Sequence, residues 1–242
     1  MTTTSTKSTI NNKASYVNQI FSNIATKYDL LNNLMTFGLH KSWKNKLIKL
    51  ALCEIPNPKD ALDLCSGTCD LGIILNKYCL DTNILCIDNA SPMLEIGKRK
   101  IEKLKLSKIK IQKEDVDNLS SMSQSFDLIT IGFGLRNLVN REKCIESIWK
   151  LLRSNGVFAC IDLGYPENLI WRDLFFMYFF NLVPKLGELF AKNKEAYSYL
   201  PKSLLAYYKQ EELKDVILSK GFKKCFYKNI LGGVVAIHIA VK

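Results

Sequence analysis

The chain changes its hydrophobic rhythm as it runs. Over residues 15–52, apolar side chains recur at helical intervals among polar ones, which predicts helices. From residue 60, short apolar runs alternate with amphipathic stretches. ALDLC (61–65), NILCID (83–88), KIKIQ (108–112), FDLITIGF (126–133) and GVFACIDLG (156–164) read as strands. Between them, LGIILNKYCL and REKCIESIWKLLRS (141–154) read as helices. Another helix starts near Ser91, an N-cap followed by Pro92. This strand–helix alternation predicts a mainly parallel sheet with helices on both faces. Right-handed crossovers then gather the loops that follow the strands along one edge. Residues 167–208 are helical and unusually aromatic, and EELKDVILSKGF (211–222) is a helix closed by Gly221. FKKCFYKN (222–229) and VVAIHIAV (234–241), joined through Gly-Gly, predict an antiparallel pair at the sheet end. The expected organisation is a disordered tail over 1–14 and a single domain over 15–242. Within it, 15–52 is a helical cap and 167–208 an insertion facing substrate or membrane.

Composition narrows the class. The 242 residues are 48% hydrophobic and 24% charged, as in a globular protein. The net charge of +11 admits nucleic acid or an anionic membrane as partner. The lysines are spread along the chain, with the densest run at 97–113, so a solvated basic surface is the leading reading. Eight cysteines and two histidines form no C-x-x-C pair, so no metal site is expected; most of the thiols read as small packing groups in a reducing compartment. MTTTSTKSTINNK has neither the apolar segment nor the arginines of a targeting leader. The longest apolar candidate, LFFMYFFNLV (174–183), is far short of the ~18 residues that suggest a membrane span.

The loop in ALDLCSGTCDLG (61–72) is the first place to seek a ligand, because doubly wound sheets bind beyond the carboxyl ends of their strands. It carries neither G-x-G-x-x-G nor the Walker pattern, so a phosphate cradle is disfavoured. A nucleoside cofactor without a pyrophosphate fits better, and S-adenosylmethionine is one. Asp63 is a candidate for its ammonium, directly or through water, and Thr68 for its amino-acid tail. Asp88 ends the second strand about 20 residues past the loop, the separation expected of a ribose-binding acid. Its alternative role is to cap the helix at Ser91. After the third strand, Asp115 is a candidate for the adenine amino group, with Val116 stacking below.

IFSNIATKYDLLNNLMTFGLHKSWK (20–44), ALDLCSGTCDL (61–71), FDLITIGFGLRNL (126–138) and GGVVAIHIA (232–240) resemble the ubiquinone/menaquinone biosynthesis C-methyltransferases. The resemblance covers nearly the whole chain after the tail. It implies an α/β class I S-adenosylmethionine-dependent methyltransferase fold: a doubly wound, mainly parallel seven-stranded sheet with an antiparallel C-terminal hairpin. It further implies methyl transfer to a ring carbon of a prenylated or phytylated quinol. A demethylated naphthoquinol of menaquinone or phylloquinone biosynthesis is the leading substrate, and a benzoquinol the alternative. By position, Thr68, Asp88, Asp115, Val116 and Gly132 match the family's cofactor contacts, and Gly67 of the loop is a further cofactor candidate. The chain departs from the family pattern at Gly132, where Ser is usual, and at Cys69, where Gly is usual. A left-handed backbone at Cys69 would cost about 1–2 kcal/mol.

A quinol carbon becomes nucleophilic when its hydroxyl loses a proton, which requires a base or a cation that stabilises the oxyanion. Arg136 and Asn137 of FGLRN are the first candidates: Arg136 for oxyanion stabilisation or for orienting a water, Asn137 for positioning the ring or that water. Asp162 is placed to accept a proton, and Tyr199, with Tyr197, to touch the quinol. His40 is weighed for the substrate mouth and His238 for the core. The lipophilic quinol and a peripheral membrane contact are the expected partners, without nucleic acid. Assembly as a homodimer is left open. The expected location is intracellular, in cytoplasm or plastid stroma, at a membrane surface. An RNA or other small-molecule methyltransferase and a non-catalytic binding module are the competing readings.

Overall fold

The computed structural model describes residues 3–122, 125–185, 188 and 194–242. β1 (Asp60–Leu64) is buried on both sides over its last four residues, as its unbroken apolar run requires of a central parallel strand. It pairs in parallel with β2 (Asn83–Asp88) and with β4 (Phe126–Gly132). β3 (Ile109–Lys113) extends the sheet beyond β2, and β5 (Leu152–Leu163) lies beyond β4. β7 (Val235–Val241) runs antiparallel to β5 and to β6 (Lys224–Ile230). The order is β3-β2-β1-β4-β5-β7-β6, a seven-stranded sheet whose direction of winding reverses between β1 and β4.

Two apolar layers cover the sheet. On one face, α1 (Thr3–Thr36), α2 (Leu39–Glu54), α3 (Asp70–Tyr78) and α4 (Ser91–Leu104) pack with α6 (Leu169–Met177); Leu31, Leu47, Ile48 and Ala51 are fully buried there. On the other, α5 (Arg141–Leu151) and α8 (Gln210–Ser219) bury Ile145, Ile148, Leu213 and Ile217. A π-helical turn, Tyr178–Leu182, follows α6, and α7 spans Lys194–Leu205.

Several boundaries differ from expectation. α1 begins at Thr3, inside the segment expected to be a tail; no Gly or Pro interrupts residues 3–36, and the helix stops only before the left-handed pair Phe37 and Gly38. The N-cap of α4 is Ala90, so Ser91 and Pro92 occupy its first turn. β5 starts at Leu152 rather than 156, since Leu152 already pairs with Phe126 ahead of a register shift. No helix among the described residues is long and apolar enough to cross a membrane.

Candidate active site

Two cavities open at the carboxyl edge of the sheet. The first is a cleft of about 130 Å³ at the winding reversal. Gly67, Asp88, Asp115, Val116, Gly132 and Asn137 line it, so five of the seven cofactor candidates and one catalytic candidate converge there. Asp88 is half-buried. Its Oδ2 accepts from Gly67 N at 2.9 Å and its Oδ1 from Ala90 N at 2.8 Å. Burial raises its pKa above the ordinary aspartate value, with the backbone donors working against that rise. It therefore does hold the start of α4, and the carboxylate retains acceptor capacity for a neighbouring hydroxyl. Asn89 Nδ2 donates to Asp115 Oδ2 at 2.8 Å, which aims the second acid at the same cleft.

The loop between β1 and α3 is strained in a way the sequence only half shows. Cys65 (φ 52°), Gly67 (φ 53°) and Cys69 (φ 62°) are all left-handed. The cost foreseen at Cys69 is thus incurred, and again at Cys65. The Cys69 side chain is fully buried, and a Cβ on Gly97 would come within 2.5 Å of its Sγ, so the thiol is packed where α4 presents a glycine. Gly132 has a similar cause: a Cβ there would lie 2.8 Å from Leu71 Cδ1, so Leu71 takes the space a serine would need.

Asp63 and Thr68 do not line the cleft. Asp63 is buried within β1, where its Oδ1 accepts from Thr130 Oγ1 at 2.7 Å. Burial pushes its pKa up to about 7 despite the Thr130 hydroxyl and the backbone of Gly72. Thr68 faces α1, where its hydroxyl donates to Asp29 Oδ1 at 3.0 Å.

The second cavity is an apolar chamber of about 470 Å³ under α1, α2 and α6. Arg136 and Tyr199 line it. The Arg136 side chain is buried against Asp162: Nη1 donates to Asp162 Oδ1 and to Phe133 O, both at 2.6 Å, and Nε to Ser203 Oγ at 3.3 Å. Burial alone would lower its pKa, but the adjacent carboxylate outweighs that and holds it above the ordinary arginine value. Asp162 also accepts from Arg136 N and Leu163 N. Placed by sequence as a proton acceptor, it is committed on both oxygens to fixing the arginine. The Tyr199 hydroxyl is buried without a partner among the described residues, and burial raises its pKa. The side chain of Tyr197 lies outside the described residues. His40 lines the chamber with its pKa lowered to about 4, mainly by burial and then by Lys44. His238 sits in the core, hydrogen-bonded to Gln210 O at 2.8 Å.

Arg136 and Asn137 thus diverge from one short turn, Leu135–Asn137, into different cavities. Phe21, Tyr28 and Phe133 line both and form the wall between them. The sequence reading gave these three no role. The signal was present: Phe21, Ile24, Tyr28, Asn32 and Met35 fall on one face of α1 at helical spacing.

Residues 8–242 match the model of the ubiE/COQ5 methyltransferase family. The chain belongs to that family. A ubiquinone/menaquinone biosynthesis C-methyltransferase UbiE of Rickettsia bellii is 37% identical over 96% of this chain and 94% of its own length. The enzyme of the same description from Blochmanniella floridana is 35% identical over 95% and 91%. A plantazolicin methyltransferase, BpumL, solved with SAH, superposes with a TM-score of 0.62 at 14% identity, covering 97% of this chain and 99% of that one. That likeness carries the fold alone. Membership makes the chain an S-adenosylmethionine-dependent C-methyltransferase, and the cleft can be tested for that cofactor on its own chemistry. An acid with spare acceptor capacity, a left-handed glycine beside it, a second acid and the apolar Val116 match ribose hydroxyls, close backbone approach, an exocyclic amine and a purine face. The residues fit.

Proposed function

We propose that the chain methylates a ring carbon of a prenylated quinol, with a demethylated naphthoquinol as substrate. The observation that carries this reading is the shared wall: a polar cleft and an apolar chamber meet at Phe21, Tyr28 and Phe133. In this reading Asp88 takes the ribose hydroxyls, Asp115 and Val116 the adenine, and Gly67 and Gly132 let the ligand approach the backbone. When bound, S-adenosylmethionine supplies an electrophilic methyl group on a sulfonium.

Arg136 stays protonated, so it acts as a fixed cation rather than as a base. From the chamber wall it stabilises the oxyanion left when the ring hydroxyl loses its proton, directly or by orienting a water. Asp162 locks the guanidinium in that direction, so it is a positioning residue. Tyr199 offers its unpartnered hydroxyl to the ring, and Asn137, from the cofactor side, keeps the transferring group in line. The chamber, with Phe175, Phe179 and Val183 in its lining, accepts the start of a hydrocarbon tail.

The rim supports peripheral contact with a membrane inside the cell. Phe37, Leu39, Trp171, Leu174 and Leu231 line the chamber and are exposed at its mouth, with Ile170 beside them, 74% exposed. The net charge of +11 favours an anionic lipid surface. Labelled S-adenosylmethionine offered with demethylated naphthoquinols and benzoquinols tests the reading. Label in the naphthoquinol supports it; label only in the benzoquinol moves the substrate class, and label in neither overturns the assignment.

A further inference from the structure

The cleft leaves out a polar cluster that lies directly behind it. Lys100 Nζ on α4 donates to Asp29 Oδ2 at 2.6 Å, to Thr68 Oγ1 at 2.8 Å and to Asp70 Oδ1 at 2.9 Å. Thr68 Oγ1 donates to Asp29 Oδ1, and Lys44 Nζ on α2 pairs with Asp70 Oδ2 at 2.7 Å. Two carboxylates and two ammonium groups therefore join α1, α2, α3, α4 and the loop after β1 with no net charge. All three N–H groups of Lys100 are engaged. Burial opposes its charge, but Asp70 and Asp29 outweigh it and hold its pKa above the ordinary lysine value.

Partly exposed ion pairs contribute little to global stability, so their position matters more than their number. Asp29 follows Tyr28, which with Val17, Asn18 and Phe21 of α1 roofs the cleft. Thr68 follows Gly67, whose N–H grips Asp88 on the floor. A continuous chain of contacts thus runs from the roof helix through Asp29, Thr68 and Gly67 to the acid read as the ribose ligand.

We propose that Asp29 and Lys100 are positioning residues for S-adenosylmethionine. They clip α1 to the loop and so set the height of the roof and the aim of Gly67 at Asp88. The inference rests on the Asp88 cleft being the cofactor site.

The test is a calorimetric titration of the full chain with S-adenosylhomocysteine. Asp29→Asn binds it about tenfold more weakly than wild type, within the range of ordinary coupling between sites. The KM for S-adenosylmethionine rises by a similar factor, while kcat at saturation stays within about twofold. Lys100→Met reproduces the loss, and adding Asp29→Asn to it brings no further weakening, as expected of two residues in one interaction. Wild-type affinity in Asp29→Asn, strictly additive losses in the double variant, or a fall in kcat at unchanged KM would each overturn the proposal. Asp88→Ala in the same series separates the layers. If it weakens binding and Asp29→Asn does not, the clip alone fails. If neither does, the cleft reading falls and the clip with it.

Discussion

Beneath its α1 roof, the cleft takes its polar groups from the ends of β1, β2 and β4, from the loop beyond β3 and from the short segments that follow, all braced by the sheet. The chamber takes its walls from α1, α2 and α6, which lie outside the strand–helix repeat. The first region works by hydrogen-bond geometry, where each acid is fixed by a backbone or side-chain donor. The second works by exclusion of water around two buried cations, Arg136 and Lys44, and most of its lining could be exchanged for other apolar residues of similar volume. Position matters at single residues in the cleft, and in the chamber at Arg136 with its partners and at Tyr199.

Substitutions can separate these two modes, and the largest effect belongs to the chamber. Arg136→Ala leaves Asp162 buried without its counter-ion, which costs about 3–5 kcal/mol of stability in denaturant unfolding. Arg136→Lys keeps the charge but loses the fork; kcat falls about a hundredfold with cofactor affinity unchanged. Turnover like the wild type would remove the arginine from the chemistry.

The next effect lies under the cleft. Asp63 has a folded pKa of about 7, above the ordinary 3.8. Its contribution to stability is complete below pH 4 and is lost as pH rises through 7, because the native state holds the proton more tightly. Asp63→Asn is therefore more stable than wild type at pH 8, by on the order of 4 kcal/mol, and loses the slope between pH 4 and 7. A slope that persists in the variant would show that another group carries it.

Asp88→Ala comes third. Loss of charge-assisted hydrogen bonds to the ribose weakens S-adenosylhomocysteine binding by about 2 kcal/mol, roughly thirtyfold, with kcat at saturation little changed. Unchanged affinity would discard the ribose role. The smallest effect is at the chamber rim. Phe37 is 84% exposed, so Phe37→Ser changes stability by less than about 0.5 kcal/mol. It nevertheless lowers co-sedimentation with vesicles containing anionic lipid; undiminished sedimentation would take Phe37 out of the membrane contact.

The contrast also explains what could be read without coordinates. Strands and the cofactor loop announce themselves locally: an apolar run, a break at small residues, an acid at the next strand end. Hence β2 and the convergence of Gly67, Asp88, Asp115, Val116 and Gly132 were visible in sequence order. Cavity walls contributed by a distant helix were not. Tyr28 and Phe133 are 105 positions apart and meet only after α1 folds back over the sheet. The fates of Thr68 and Asp162 were hidden for a related reason: each partner, Asp29 and Arg136, sits on a different element. Leu71 beside Gly132 shows the same limit, since a close approach between a helix and a strand end leaves no trace in spacing.

Because Phe21 and Tyr28 of α1 belong to both cavities, the two ligands share one stretch of wall. Thermodynamic reciprocity then fixes a relation between them: the factor by which the methyl donor changes affinity for the acceptor is the factor by which the acceptor changes affinity for the donor. A donor-loaded and a donor-free enzyme accordingly differ in their hold on the acceptor by that same factor.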